Sequence, residues 1–157
     1  DDAASHAHYL SEFLDIYTSA PAKFTTVFDH VHEVLTDFQS SGIALGLCTN
    51  KPEAPTNVLL DVFGLTAFFG SIVGGDRLPS RKPDPAMLHL VMRELAVETC
   101  LFVGDSEVDV ATAKAAGVPI ALFTRGYRQT PVAELAPDFD FDHFKNLPAI
   151  AAPFLRQ

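Results

Sequence analysis

The chain has 157 residues, 48% of them hydrophobic, which is enough for one domain with a full core. Its net charge of -9 and pI near 4.9 argue against nucleic acid and anionic membrane surfaces as partners. We find neither an apolar run long enough to cross a membrane nor a secretion signal at the first residues. Cys48 and Cys100 fall on different predicted strands, roughly 10 Å or more apart and beyond disulfide reach, which fits a cytoplasmic location.

Helices and strands alternate along most of the sequence. Apolar residues at helical spacing predict helices over residues 5–18 and 27–38, and the apolar run 43–48 predicts a buried strand. Pro52 suits the first turn of the next helix, whose predicted inner face carries Val62. Further signals come in the order strand 71–73, helix 85–95, strand 100–103, helix 108–116 and strand 120–123. This order predicts an α/β fold with a doubly wound parallel sheet.

Two carboxylates stand where the strand 100–103 passes into a helix. Gly104 and Asp105 end the strand, and Asp109 follows one helical turn after Asp105. Side chains four apart at a helix start can converge on one point, and open α/β sheets bind ligands at the carboxyl ends of their strands. Carboxylate oxygens suit magnesium. A plain Gly-Asp turn, with Asp109 complementing the helix dipole, is the structural alternative.

Two other strand-end loops carry groups suited to an anion. Thr49, Asn50 and Lys51 follow the first strand and lead into a helix, so a hydroxyl, backbone N–H groups and a positive dipole end face one crevice. Arg81 and Lys82 bring cations, and a cation is what a phosphoryl group needs beside a metal. Simple helix capping by Thr49 and Asn50, and a solvated basic turn at 81–82, remain the alternatives.

These signals resemble the haloacid dehalogenase superfamily of phosphotransferases, whose motifs are a strand-end Ser or Thr, then a Lys, then Gly-Asp with a trailing Asp. More narrowly, the chain resembles the bacterial phosphoglycolate phosphatases over nearly its whole length. The motifs that carry this likeness are Leu47-Cys48-Thr49-Asn50-Lys51-Pro52-Glu53, Gly74-Gly75-Asp76, Arg81-Lys82-Pro83-Asp84-Pro85, Gly104-Asp105-Ser106-Glu107-Val108-Asp109 and Phe123-Thr124-Arg125-Gly126-Tyr127.

The resemblance implies a Rossmann-like core. It also implies a Mg²⁺-dependent hydrolase that acts on a small phosphorylated metabolite, with 2-phosphoglycolate as the first candidate. It implies that Thr49 holds the phosphoryl group with Asn50, and that Lys82 stabilises its charge. It further implies that Asp105 binds magnesium directly, while Asp109 supports the metal or Lys82 and Ser106 lies in the outer shell of the site.

The family's nucleophile motif, Asp-x-Asp-Gly-Thr after an apolar strand, does not occur in the 157 residues. Asp-x-Asp occurs only in Asp138-Phe139-Asp140-Phe141-Asp142, which lacks Gly-Thr and whose alternation predicts an edge strand with one solvated face. By comparison with the family pattern, we expect residues 1–22 to be the remnant of a helical cap. We expect residues 23–157 to be the α/β core without its first strand.

Two functions follow from this departure. The first is a phosphatase whose aspartyl nucleophile is absent from this chain, so that the chain itself is inactive. The second is a non-catalytic module that binds phosphate or magnesium. In the resembling family the missing strand lies between those ending at Cys48 and Val103. We therefore expect a separate N-terminal fragment to fill that place, or else direct pairing of the two strands or self-association.

Overall fold

The computed structural model describes residues 25–154, so the predicted cap remnant 1–22 and the helix predicted at 5–18 lie outside the described residues. Five strands and six α-helices occur in the described range. The strands are β1 (Gly46–Cys48), β2 (Ser71–Val73), β3 (Phe102–Gly104), β4 (Ile120–Phe123) and β5 (Phe139–Phe141). The helices are α1 (Val31–Ser40), α2 (Glu53–Val62), α3 (Ala86–Glu94), α4 (Glu107–Ala116), α5 (Val132–Leu135) and α6 (Leu147–Ala151).

The strands are all parallel but form two sheets. β1 pairs with β2, and β3, β4 and β5 pair in that order. The α/β prediction is confirmed, as is the edge position of the Asp-Phe strand, where Asp140 is exposed and Phe141 is buried. Direct pairing of β1 with β3, one of the expected alternatives, does not occur. Among the described residues each of these two strands therefore has a ladder partner on one side only.

Strand β4 shows why helices pack on both faces of the three-stranded sheet. Its four residues are all buried, as expected for a central parallel strand. Ala121 and Phe123 face a core cluster that α1 and α6 complete, whereas Ile120 and Leu122 face a second cluster with α3 and α4. The alternation of side chains along a strand thus produces the doubly wound arrangement.

Helix α3 joins the two sheets. Met87 and Val91 pack against Val73 of β2, while Leu88 belongs to the cluster beneath β3 and β4. Cys48, at the end of β1, contacts both clusters.

Both cysteines, Cys48 and Cys100, are free, as predicted. Burial raises the pKa of the Cys48 thiol to about 11, so it is protonated at neutral pH and is poorly suited to act as a nucleophile.

Four sequence predictions differ from the structure in a boundary or a face. The strand predicted over residues 100–103 is β3, which begins at Phe102, so Cys100 lies before the strand. Helix α1 begins at Val31 rather than 27, because His30 turns the chain with a φ of 66°. β1 starts at Gly46, three residues later than predicted. Val62 is 52% exposed, since α2 buries the face carrying Thr56 and Leu60 instead. In the described range no helix is long and apolar enough to cross a membrane.

Candidate active site

The turn from β3 into α4 encloses the carboxylate of Asp109. Ser106 caps α4 in a capping box with Asp109, the residue three positions on. Oδ2 of Asp109 accepts hydrogen bonds from the backbone N–H groups of Asp105 and Ser106, both at 3.1 Å, and from the Ser106 hydroxyl at 2.6 Å. Asp109 is only 5% exposed. The tight turn therefore surrounds the carboxylate of Asp109, whereas the carboxylate of Asp105 points in another direction.

Gly104 is required by this packing. A Cβ at this position would lie 2.3 Å from the Cβ of Asp109 and 2.5 Å from its Cγ, closer than real contacts allow. The Gly-Asp pair in the sequence is thus explained by close approach of a side chain rather than by an unusual backbone angle.

Lys82 and Asp109 form a buried ion pair. Lys82 Nζ donates to Asp109 Oδ1 at 2.7 Å, and their side chains are 11% and 7% exposed. The ammonium group also lies 5.5 Å from the centre of the Phe102 ring. Burial pushes the pKa of Asp109 upward, but the Lys82 charge and the hydrogen bonds from Lys82, Ser106 and Asp105 outweigh it and lower the pKa. Asp109 is therefore held ionised opposite a lysine.

Asn50 fastens the Lys82 loop to the end of β1. Its side-chain nitrogen donates to the Lys82 carbonyl at 2.9 Å, and its side-chain oxygen accepts from the Lys82 N–H at 2.9 Å. The predicted phosphate ligand thus uses its side-chain amide to position the lysine. The neighbouring hydroxyl of Thr49 accepts from the Lys51 N–H at 3.2 Å. Asn50 and Lys82 are therefore joined by two hydrogen bonds, and Thr49 lies next to Asn50 in the same loop.

Asp105 faces the loop that follows β4. Its Oδ2 accepts from the Tyr127 N–H at 3.0 Å. Gly126 packs so closely that a Cβ there would lie 2.2 Å from the Asp105 Cβ. Tyr127 itself is 88% exposed, so it contacts Asp105 through its backbone. The sequence offered no direct signal for this contact, because 22 residues separate the two partners.

The donor set decides what a metal could use. Both oxygens of Asp109 are engaged within the protein, so Asp105 is the better direct ligand and Asp109 is suited to supporting Lys82. Residues 25–154 contain no group of three or more His, Cys, Asp or Glu residues that could hold a metal. Mg²⁺ usually keeps several waters and needs only one or two carboxylates with a substrate phosphate. Asp105 fits that type of site, but its single carboxylate supplies few of the oxygen ligands that Mg²⁺ takes.

Hydrogen bonds of the three loops link five of the six residues predicted for the site, namely Asn50, Lys82, Asp105, Ser106 and Asp109. The sixth, Thr49, directly precedes Asn50, and its hydroxyl accepts from the Lys51 N–H of the same loop. Sequence reasoning missed the role of Glu107, whose carboxylate accepts two backbone N–H groups of the loop after β4. It also missed Gly75, at which a Cβ would lie 2.1 Å from the Asn50 carbonyl oxygen. In the sequence, the Gly74-Gly75 pair is part of a family motif, and nothing local indicates the contact with Asn50.

The chain is similar to known proteins over most of its length. "Phosphoglycolate phosphatase" of Cereibacter sphaeroides is 45% identical over 147 residues, covering 94% of this chain and 67% of that protein. The protein of the same name from Rhodospirillum rubrum is 45% identical over 149 residues, covering 94% of this chain and 61% of that protein. A crystal structure titled as a predicted phosphoglycolate phosphatase, from Haemophilus somnus, superposes with a TM-score of 0.84 at 30% identity, over 90% of this chain and 64% of that one.

The chain thus spans about two thirds of the length of these relatives. The sequence model described as haloacid dehalogenase-like hydrolase matches residues 2–123, more than half of the chain. With the fold, the three linked loops and these matches taken together, the chain belongs to the haloacid dehalogenase-like hydrolase family.

Proposed function

We propose that these residues form the phosphate- and metal-binding part of a phosphatase that hydrolyses a small phosphomonoester, with 2-phosphoglycolate as the first candidate substrate. The observation that carries the proposal is the buried Lys82–Asp109 pair, braced through the Lys82 backbone by Asn50. Burying a charged pair carries a desolvation cost that only close contact and further hydrogen bonds offset, and an ammonium group held in this way suits a phosphoryl group. The names of the relatives support this choice of substrate.

Each side chain has a defined task in this proposal. Asp109 accepts a hydrogen bond from one N–H of the Lys82 ammonium group, and the other N–H groups can donate to phosphoryl oxygens. The Thr49 hydroxyl accepts a bond from the Lys51 N–H, so its own proton can be donated to the same anion. Asn50 keeps the lysine loop in place. These groups bind and orient a phosphoryl group near Asp105.

Mg²⁺ is the proposed cofactor, with Asp105 as its direct ligand and Asp109 and Ser106 in support. A bound magnesium ion would neutralise charge on the phosphoryl oxygens. Within this chain, the Tyr127 N–H donates to the Asp105 carboxylate, and Gly126 packs directly against that side chain. Because the described residues supply few oxygen ligands, we propose that affinity for the metal is low in this chain alone.

We further propose that the attacking aspartate comes from a segment outside these 157 residues, which contain no Asp-x-Asp-Gly-Thr. Strands β1 and β3 support this, because they do not pair with each other and Val103 in the middle of β3 is 37% exposed. An apolar strand inserted between them would complete the ladder and cover that valine. The intact mass of the native protein, measured beside the upstream reading frame, tests this part of the proposal.

The absence of Asp-x-Asp-Gly-Thr from the 157 residues favours the second candidate, a non-catalytic phosphate- or magnesium-binding module. To test binding, the 157-residue chain is titrated calorimetrically with inorganic phosphate and with 2-phosphoglycolate in the presence of Mg²⁺. We expect both anions to bind, and we expect Lys82→Met and Thr49→Val to weaken both, whereas the exposed control Lys145→Ala does not. Equal binding by all variants would contradict the proposed site. Phosphate release by the native protein would exclude the non-catalytic module.

A further inference from the structure

The turn after β3 sends its side chains in two directions. Ser106 faces Asp109, whereas its neighbours Asp105 and Glu107 both contact residues 124–130, called loop 124–130 below. This alternation places the candidate metal ligand and a second carboxylate against the same loop. The second carboxylate has no task in the function proposed above.

Glu107 holds the far end of loop 124–130. Its Oε1 accepts from the backbone N–H groups of Gln129 and Thr130, both at 2.5 Å. These bonds lower the pKa of Glu107 to about 2, with the Thr130 bond the largest cause, so the carboxylate is charged at neutral pH. Hydrogen bonds to an ionised acceptor are shorter and stronger than neutral ones.

The near end of the loop is fastened to the sheet. Thr124 N–H donates to the Phe141 carbonyl at 2.8 Å, and Arg128 donates to the Thr124 carbonyl. Between these two ends lie Gly126 and Tyr127, the residues that contact Asp105. Loss of the Glu107 bonds would leave this stretch tied firmly at the β4 side alone.

We propose that Glu107 is a positioning residue, which fixes loop 124–130 so that the Tyr127 N–H holds the Asp105 carboxylate in one orientation for a divalent cation. The part concerning the cation rests on the proposed function of Asp105. Groups that orient a metal ligand commonly change metal affinity by roughly 10- to 100-fold when they are removed. Glu107 therefore acts on the metal site without touching the metal.

Amide hydrogen exchange, followed by NMR on the metal-free chain, tests the positioning itself. In Glu107→Ala we expect exchange at Gln129 and Thr130 to rise at least about tenfold, since bonds to a charged acceptor are lost. The decisive residue is Tyr127, which does not touch Glu107 and should exchange faster as well. Glu107→Gln keeps an oxygen acceptor of the same reach and should restore much of the protection at all three amides. Glu134→Ala, which removes an exposed glutamate from the first turn of α5, serves as control.

Magnesium titration by calorimetry supplies the second measurement. We expect Glu107→Ala to weaken Mg²⁺ binding by roughly 10-fold or more, and Glu107→Gln to weaken it less. Unchanged exchange at Tyr127 in Glu107→Ala would overturn the positioning role, as would equal effects of Ala and Gln. If wild type binds no Mg²⁺ while Tyr127 still responds, the metal proposal fails and the positioning of Asp105 by Glu107 stands. If wild type and Glu107→Ala bind Mg²⁺ equally well, the inference fails and the metal proposal stands.

Discussion

Replacing Asp109 by asparagine tests the centre of the site with almost no change of shape. One oxygen of Asp109 accepts from the Lys82 ammonium group, and the other accepts from two backbone N–H groups and the Ser106 hydroxyl. Asparagine must place an NH₂ group at one of these positions, so a donor faces donors in either orientation. The Lys82 charge also loses its partner while it remains buried.

The expected loss is large compared with the stability of a domain. Removing one member of a buried ion pair costs about 3 to 5 kcal/mol in the free energy of unfolding, because the other charge is left uncompensated. Domains have about 5 to 15 kcal/mol in total. With side-chain exposures of 11% and 7%, this pair is largely shielded from water, so solvent screening is weak. We therefore expect Asp109→Asn to lose about 3 to 5 kcal/mol.

Urea unfolding monitored by circular dichroism measures this loss as a lower midpoint with an unchanged slope. Asp140→Asn, a matched change on the exposed side of β5, should stay within about 0.5 kcal/mol of wild type. The double variant Lys82→Met with Asp109→Asn should be more stable than Asp109→Asn alone, since no buried charge is left unpaired. A loss below about 1 kcal/mol for Asp109→Asn would refute the reasoning, because exposed pairs are worth that little.

The pH dependence has a definite sign. The folded pKa of Asp109 lies below its ordinary value of 3.8. Its stabilising contribution is therefore present above pH 3.8 and is lost as the pH falls through the folded pKa. Asp109→Asn should remove this part of the acid sensitivity, and an identical acid-unfolding curve for the variant would contradict it.

Four further outcomes are expected. The 157-residue chain should not hydrolyse 2-phosphoglycolate at an enzyme-like rate, because a covalent mechanism without its nucleophile keeps little activity, and Mg²⁺-dependent phosphate release by a mass-verified sample would show otherwise. Mg²⁺ should bind weakly and not at all in Asp105→Asn; calorimetry showing equal binding in both would place the metal elsewhere. The thiol of Cys48 should be alkylated slowly in the native state, and alkylation as fast as in urea would contradict this. The contribution of this thiol to the free energy of unfolding should be complete below pH 9.0 and should be lost as the pH rises toward about 11. Light scattering should show self-association unless the missing strand is supplied, and a stable monomer with β1 and β3 unpaired would count against the strand proposal.

Most elements could be predicted from the sequence because they depend on near neighbours. The apolar run Ile120–Phe123 predicts a strand, and the structure shows one whose four residues are all buried. Gly117 ends α4 with a φ of 70°, as a glycine after a helical pattern predicts. The positions of the three strand-end loops also follow from local pattern, since parallel strands put their carboxyl ends at one edge. The meeting of these three loops at one edge of the fold was therefore predictable.

The tertiary structure decided which side chains meet there. The resemblance left open whether Asp109 supports the metal or Lys82, and the structure pairs Asp109 with Lys82, 27 residues away. Asn50 could as well have capped its own helix, but its amide is taken by the backbone of Lys82, 32 residues on. The split between β1 and β3 is likewise invisible in any local pattern. Periodicity reports only burial and secondary structure, whereas these pairings depend on which distant segments packing brings into contact.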